Sequence, residues 1–268
     1  MGRSLETKLR RQEAREAKKE KRMKRAVEKF AEEREEIVKV DPLLPLNKKQ
    51  KALLHALKNK TLIVVNGLAG TGKTYMAAAH AADLLRENEI DKIIVCRPLV
   101  AMGNTAGFLP GGIKEKLEPY VKPMLSVIES RLGKGAYSTL LADGTHGRIE
   151  ICPFESMRGR SLGSSKEPVI VLVDECQNAT AEEIFSIITR IGQGSKVVLM
   201  GDVYQRDTKN SGLNWLINFI HHHPGMEEHA GVIEFNEVED IVRSGLVKEV
   251  ILGAMEDLDE GRYAPVKC

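Results

Sequence analysis

Aromatic side chains are scarce in this sequence: six Phe, five Tyr and one Trp among 268 residues. Platforms for stacking unpaired bases are correspondingly few, so any grip on nucleic acid must lean on phosphate contacts and weaken with salt. Cysteine is equally sparse. Cys96, Cys152, Cys176 and Cys268 form no C-x-x-C pair, which argues against a zinc site or a disulfide framework and fits a reducing compartment. No apolar run exceeds strand length, so no membrane span is expected. Residues 1–30 lack the apolar centre of a secretory leader, and the expected location is cytoplasmic. A strong net charge is also missing, the balance being only +2. It is unevenly placed. Residues 1–40 hold 14 Lys/Arg against 9 Glu, leaving 26 Lys/Arg against 29 Asp/Glu for the rest.

What the chain does have begins at residues 61–76, TLIVVNGLAGTGKTYM. An apolar run, Leu62 to Val65, reads as a buried strand; glycines follow, then a helical pattern over 76–85. The spacing from Gly67 to Gly72, Lys73 and Thr74 fits the phosphate-binding P-loop in full. Glycine at 70 and 72 lets the backbone curl until several N–H groups face one point, where a Cβ would obstruct. The helix starting there directs its positive end at the same point. Lys73 can reach the β and γ phosphates and the Thr74 hydroxyl can ligate Mg²⁺. The expected nucleotide-binding residues are therefore Gly67, Leu68, Ala69, Gly70, Thr71, Gly72, Lys73, Thr74 and Tyr75.

A second stretch, VIVLVDE at 169–175, places five apolar residues before two carboxylates. The run reads as a strand buried on both faces. Two acids at its end are costly to desolvate without a partner, and a Mg²⁺–nucleotide provides one. Asp174 would hold the metal, while Glu175 would act as general base on the attacking water. The plainer alternative is a pair of acids capping the next helix, which is read as starting near Thr180. A glutamate after the metal-binding aspartate suits activation of water better than of a substrate hydroxyl, which disfavours a small-molecule kinase. A further strand, 196–200, ends in GDVYQ, where Gln205 can sense a γ-phosphate.

The remaining chain is read around these two stretches. Residues 1–40 form a basic arm, helical or disordered, without a heptad seam. Pro42 and Pro45 mark the entry to the body, taken as 41–256, and 257–268 as a tail. Gln50 precedes a helical pattern over 51–57; its carboxamide can pair with the N6 amine and N7 of adenine, or face solvent. A strand at 92–96 ends at Arg97, on the rim where α/β sheets bind ligands. After a glycine-rich loop at 103–112, a helical pattern over 114–132 is expected to break at Pro119 and Pro123. Residues 133–147 read as an exposed excursion and 149–152 as a strand. Arg158 and Arg160 either hold phosphate or pair with surface acids. Helix is expected over 211–220 with Trp215 packed, then a solvated loop at His221–His223, a strand at 232–235 and an amphipathic helix over 238–254 carrying Arg243.

Taken in order, Gln50, the P-loop, Arg97-Pro98, DECQ at 174–177 and GDVYQ at 201–205 form one pattern. With GFLPG at 107–111, MRGR at 157–160, TRIG at 189–192 and DIVRSGLV at 240–247, it closely resembles the PhoH-like ATPase family. Those proteins are similar to the first motor domain of superfamily 1 helicases. The resemblance covers about 45–256, with Cys176 where the family usually has alanine. It implies an α/β fold with a RecA-like P-loop NTPase core and a mostly parallel sheet, in which the strand at 196–200 lies between the P-loop strand and the Asp174 strand. It implies ATP and Mg²⁺ as ligands and hydrolysis of ATP to ADP and phosphate. Lys73, Glu175 and Gln205 would be the catalytic set, and Arg190 and Arg243 would contact phosphate, including that of a neighbour. A motor needs two such cores about one nucleotide and 228 residues hold only one, so a homo-oligomer is expected, a hexamer by family resemblance. RNA or single-stranded DNA is the expected partner. The competing reading is an ATP-gated assembly protein with the arm as its docking element.

Overall fold

The computed structural model describes residues 40–98, 113–141, 147–203, 211–243 and 245–260. The expectations about residues 1–39, the loop at 103–112, Gln205 and the end of the tail lie outside these. Six strands are described: β1 (Leu62–Gly67), β2 (Lys92–Arg97), β3 (Ile149–Pro153), β4 (Val169–Val173), β5 (Lys196–Gly201) and β6 (Ala230–Phe235). They form one sheet in the order β3-β2-β4-β5-β1-β6, with every pairing parallel. As expected for a RecA-like core, β5 runs between β1 and β4. With neighbouring strands about 4.8 Å apart, the ends of β1 and β4 stand about 10 Å from each other across β5.

Apolar residues run without alternation along β1 and β4 because both faces of the sheet are covered. Ile63 and Val65 point into one layer, with α1 (Lys48–Asn59), α2 (Lys73–Arg86), α3 (Ile113–Leu132) and α4 (Lys134–Leu140). Leu62 and Val64 point into the other, with α5 (Ala181–Ile188) and α6 (Gly212–His222). Trp215 packs at the edge of that second layer. Among the described residues no helix is long and apolar enough to cross a membrane.

Several local expectations are corrected. The break expected at Pro119 and Pro123 does not occur, and α3 is continuous through both. Both prolines lie on its exposed face, where a carbonyl deprived of its N–H partner is open to solvent. The opposite face, with Leu117, Val121, Met124 and Ile128, is fully buried and holds the helix in place. The expected excursion after residue 132 contains α4, anchored by buried Leu140. His221 and His222 belong to the last turn of α6 rather than to a loop. The ring of His222 bonds the carbonyl of Asn218 and that of His223 the carbonyl of Phe219, both at 2.7 Å. The single helix expected over 238–254 is instead a 3₁₀ turn, Val238–Asp240, followed by α7 (Gly245–Asp259), and Arg243 lies between them. The cause is tertiary: the Val242 N–H donates to the Gly70 carbonyl, tying this segment to the P-loop. Arg158 and Arg160 take the surface-acid alternative, pairing with Glu183 at 2.8 Å and Glu150 at 2.6 Å.

Candidate functional site

The C-terminal ends of β1, β4 and β5 open onto a cavity of about 700 Å³. Its floor is the P-loop, whose curvature depends on glycine at three places. Gly67, Gly70 and Gly72 have φ of 136°, 76° and 82°. At Gly67 a Cβ would meet the Phe235 carbonyl oxygen at 2.3 Å, so the close approach of β6 requires glycine there as well. The loop is tied from within and from without. The Thr71 hydroxyl donates to the Leu68 carbonyl at 3.0 Å, and the Leu68 N–H donates to the Phe235 carbonyl at 3.1 Å.

Lys73 opens α2 and folds back over the loop, its Nζ donating to the carbonyls of Gly67 and, at 2.7 Å, Leu68. Burial lowers its pKa, while the charges of Asp202, Asp174 and Glu175 act to raise it. Lys73, Asp174, Glu175 and Asp202 all line the one cavity. Asp174 follows β4. Burial raises its pKa and the neighbouring Glu175 charge adds to the effect; Arg97 and Lys73 oppose it. A lysine and a carboxylate that each lose solvation here fit a ligand carrying both signs. Thr74 and Asp174 offer the hard oxygen donors that Mg²⁺ takes.

Glu175 is one of two non-glycine residues at positive φ among the described residues, at φ 55° and ψ 35°. Such a backbone costs about 1–3 kcal/mol and persists only when its surroundings hold it. Here a 3₁₀ turn, Cys176–Asn178, separates Glu175 from α5, and Thr180 rather than the acidic pair caps that helix. The Glu175 side chain receives a hydrogen bond from Gln177 Nε2 at 2.6 Å and lies 3.6 Å from Arg97 Nη2. Gln177 is buried, and its Oε1 accepts the Asp202 N–H at 3.2 Å, joining the ends of β4 and β5. Asn66 joins β1 to the same region by accepting the Val203 N–H at 3.1 Å.

Gln50 also reaches the cavity, though its amide is engaged by backbone. Oε1 accepts the Leu46 N–H at 2.8 Å and Nε2 donates to the Thr71 carbonyl at 2.9 Å. A donor on one side and an acceptor on the other fix which end of the amide is which, leaving a second lone pair and a second proton. Ala69, Thr71, Thr74, Tyr75 and Arg243 line the same cavity. Arg190, in contrast, is exposed after the end of α5 and is not among the lining residues. The structure therefore brings together the P-loop, Gln50, Asp174, Glu175 and Arg243 within one chain, and leaves Arg190 outside.

A family model described as PhoH-like protein matches residues 42–255. This chain belongs to the PhoH-like family. Protein PhoH of Escherichia coli strain K12 is 37% identical over 210 residues, covering 78% of this chain and 57% of that protein. The PhoH-like protein of Bacillus subtilis strain 168 is 37% identical over 205 residues, covering 75% and 60%. The chain thus spans less than two thirds of the length of these PhoH relatives. Among solved structures, the large terminase from the thermophilic bacteriophage D6E in complex with ADP aligns over 77% of this chain and 49% of that one, at TM-score 0.47 and 16% identity. The Pif1 helicase from Candida albicans aligns over 81% and 44%, at TM-score 0.38 and 15% identity.

Proposed function

We propose that this PhoH-like chain hydrolyses ATP to ADP and phosphate in the crevice between the ends of β1 and β4, and that RNA or single-stranded nucleic acid governs the rate. The observation that carries the reading is the convergence of Lys73 with Asp174, Glu175 and Asp202 around one cavity. The left-handed glycines and the N-terminus of α2 turn backbone N–H groups toward a triphosphate. Lys73 exchanges its loop carbonyls for phosphate oxygens. Thr74 and Asp174 would hold Mg²⁺, which when bound draws charge from the phosphate oxygens. Glu175 accepts the proton of the attacking water. Gln50, its amide oriented by Leu46 and Thr71, offers an acceptor and a donor suited to the N6 amine and N7 of adenine. Arg243, which lines the cavity beside Gly70, would contact phosphate of its own chain's nucleotide.

Two substitutions test the site. Lys73→Ala should abolish nucleotide binding or turnover. Glu175→Gln should still bind ATP while turnover falls about 10²–10⁴-fold, the usual contribution of a positioned base. Turnover near the unmodified rate in Glu175→Gln would remove Glu175 from its role.

A further inference from the structure

Glu175 is held on both oxygens, and one of the two restraints is replaceable. The parallel register sets Cys96 opposite Val173, and the Asp174 N–H donates to the Cys96 carbonyl at 3.1 Å. Arg97, the last residue of β2, therefore stands beside the acidic pair. Its Nη2 lies 3.6 Å from Glu175 Oε1, while Gln177 Nε2 donates to Oε2 at 2.6 Å. The guanidinium is otherwise poorly served. Nη1 donates to the Tyr120 carbonyl at 3.4 Å, and the group lies 5.5 Å from the centre of the Tyr120 ring. Nε is buried with no hydrogen-bond partner among the described residues. A guanidinium has five N–H donors in a rigid fork, and a long, partly exposed ion pair binds weakly. An anion presenting two oxygens in one plane would compete well for it.

We propose that Arg97 is a positioning residue that restrains Glu175 until a phosphodiester of an RNA or single-stranded DNA backbone takes its guanidinium. This rests on the ATPase reading above. Release leaves Glu175 Oε1 open to the water whose proton it accepts. The Gln177 contact keeps the carboxylate oriented, and through Asp202 it holds the end of β5 in register with the base. The scarcity of aromatics suits a device that senses the backbone rather than the bases.

The test is steady-state ATP hydrolysis by the full chain at low salt, alone and with poly(U) or oligo(dT). Unmodified protein, Arg97→Ala and Arg97→Lys would be compared, with thermal melts alongside. Unmodified protein should be stimulated by polymer. In Arg97→Ala, basal kcat should rise about two- to fivefold, the factor expected for losing an ion pair of this kind. KM for ATP should stay unchanged and the stimulation ratio should fall to near one. Arg97→Lys, which keeps the charge but not the fork, should retain part of both restraint and response.

A reduced basal kcat in Arg97→Ala with an unaltered stimulation ratio would assign Arg97 to structure and overturn the proposal. If Arg97→Ala fails to fold, a basal rate and ratio in Arg97→Lys equal to those of the unmodified protein would overturn it too. ATP turnover that answers to neither polymer would overturn the phosphodiester as ligand and the nucleic-acid control proposed above, while leaving ATP hydrolysis itself intact. Absence of turnover in the unmodified protein would overturn that reading and this one with it.

Discussion

His80 lies on α2, 6% exposed, with Nε2 unpartnered among the described residues. Burial holds its pKa down to about 4, and the Lys196 and Lys58 charges add to the effect against the Leu57 carbonyl and Asp83. The imidazole is therefore neutral in the fold, whereas in the unfolded chain it takes a proton below its ordinary value of 6.5. Between those values the unfolded chain binds more protons, so stability falls as pH falls. Urea unfolding should show a loss of about 1.5 kcal/mol from pH 6.5 to pH 5 attributable to this group. In His80→Gln that part of the pH slope should vanish; an unaltered slope would place the dependence elsewhere. Residues of this kind are not legible in advance, since a histidine in a helical alanine run gives no sign of what will cover it. Gln177 belongs to the DECQ pattern, yet the sequence assigns it no role. It stands two places beyond Glu175 in plain view, yet its role depends on the end of β5 arriving beside it.

Among the elements, α3 illustrates how packing overrides a local signal. Its two prolines predict a break, and its buried face prevents one. Its end is fastened to the P-loop helix by Arg131, which donates to Asp83 at 2.8 Å and 2.7 Å and to the Asp41 carbonyl at 3.2 Å. Arg131 is almost wholly buried, and Arg86 also pairs with Asp83, at 3.0 Å. Arg131→Ala should cost about 2–3 kcal/mol, somewhat less than a fully isolated buried pair because Arg86 remains. Chemical denaturation measures the loss. Since Pro123 and Val127 of α3 line the cavity, nucleotide affinity should weaken in the same variant. A stability change within about 0.5 kcal/mol, the range of ordinary surface substitutions, would show that the pair fastens nothing.

For the whole molecule, the outstanding question is what Arg190 does. It is exposed and lies outside the cavity of its own chain. We expect it to act on the nucleotide of a neighbouring copy, as an arginine supplied in trans does in related chemistry. Light scattering with ATP and Mg²⁺ should then report an oligomer. Arg190→Ala and Lys73→Ala, each inactive alone, should regain turnover when mixed, because one subunit brings the intact P-loop and the other the arginine. A strict monomer, or a mixture as inactive as its parts, would remove the arginine from catalysis.

The chain by itself determined the parallel α/β architecture and the two stretches that line the candidate site. A P-loop and a buried strand ending in acids are local patterns, written in consecutive residues whose spacing is dictated by backbone geometry. Only the tertiary structure decided that Arg243 sits beside Gly70 while Arg190 does not, that Gln50 is braced by Leu46 and Thr71, and that Arg97 and Gln177 share the carboxylate of Glu175. Apart from the local Leu46–Gln50 and Glu175–Gln177 bonds, those contacts join residues far apart in the chain, and their closeness follows from the order and register of the sheet, which no short stretch of sequence encodes.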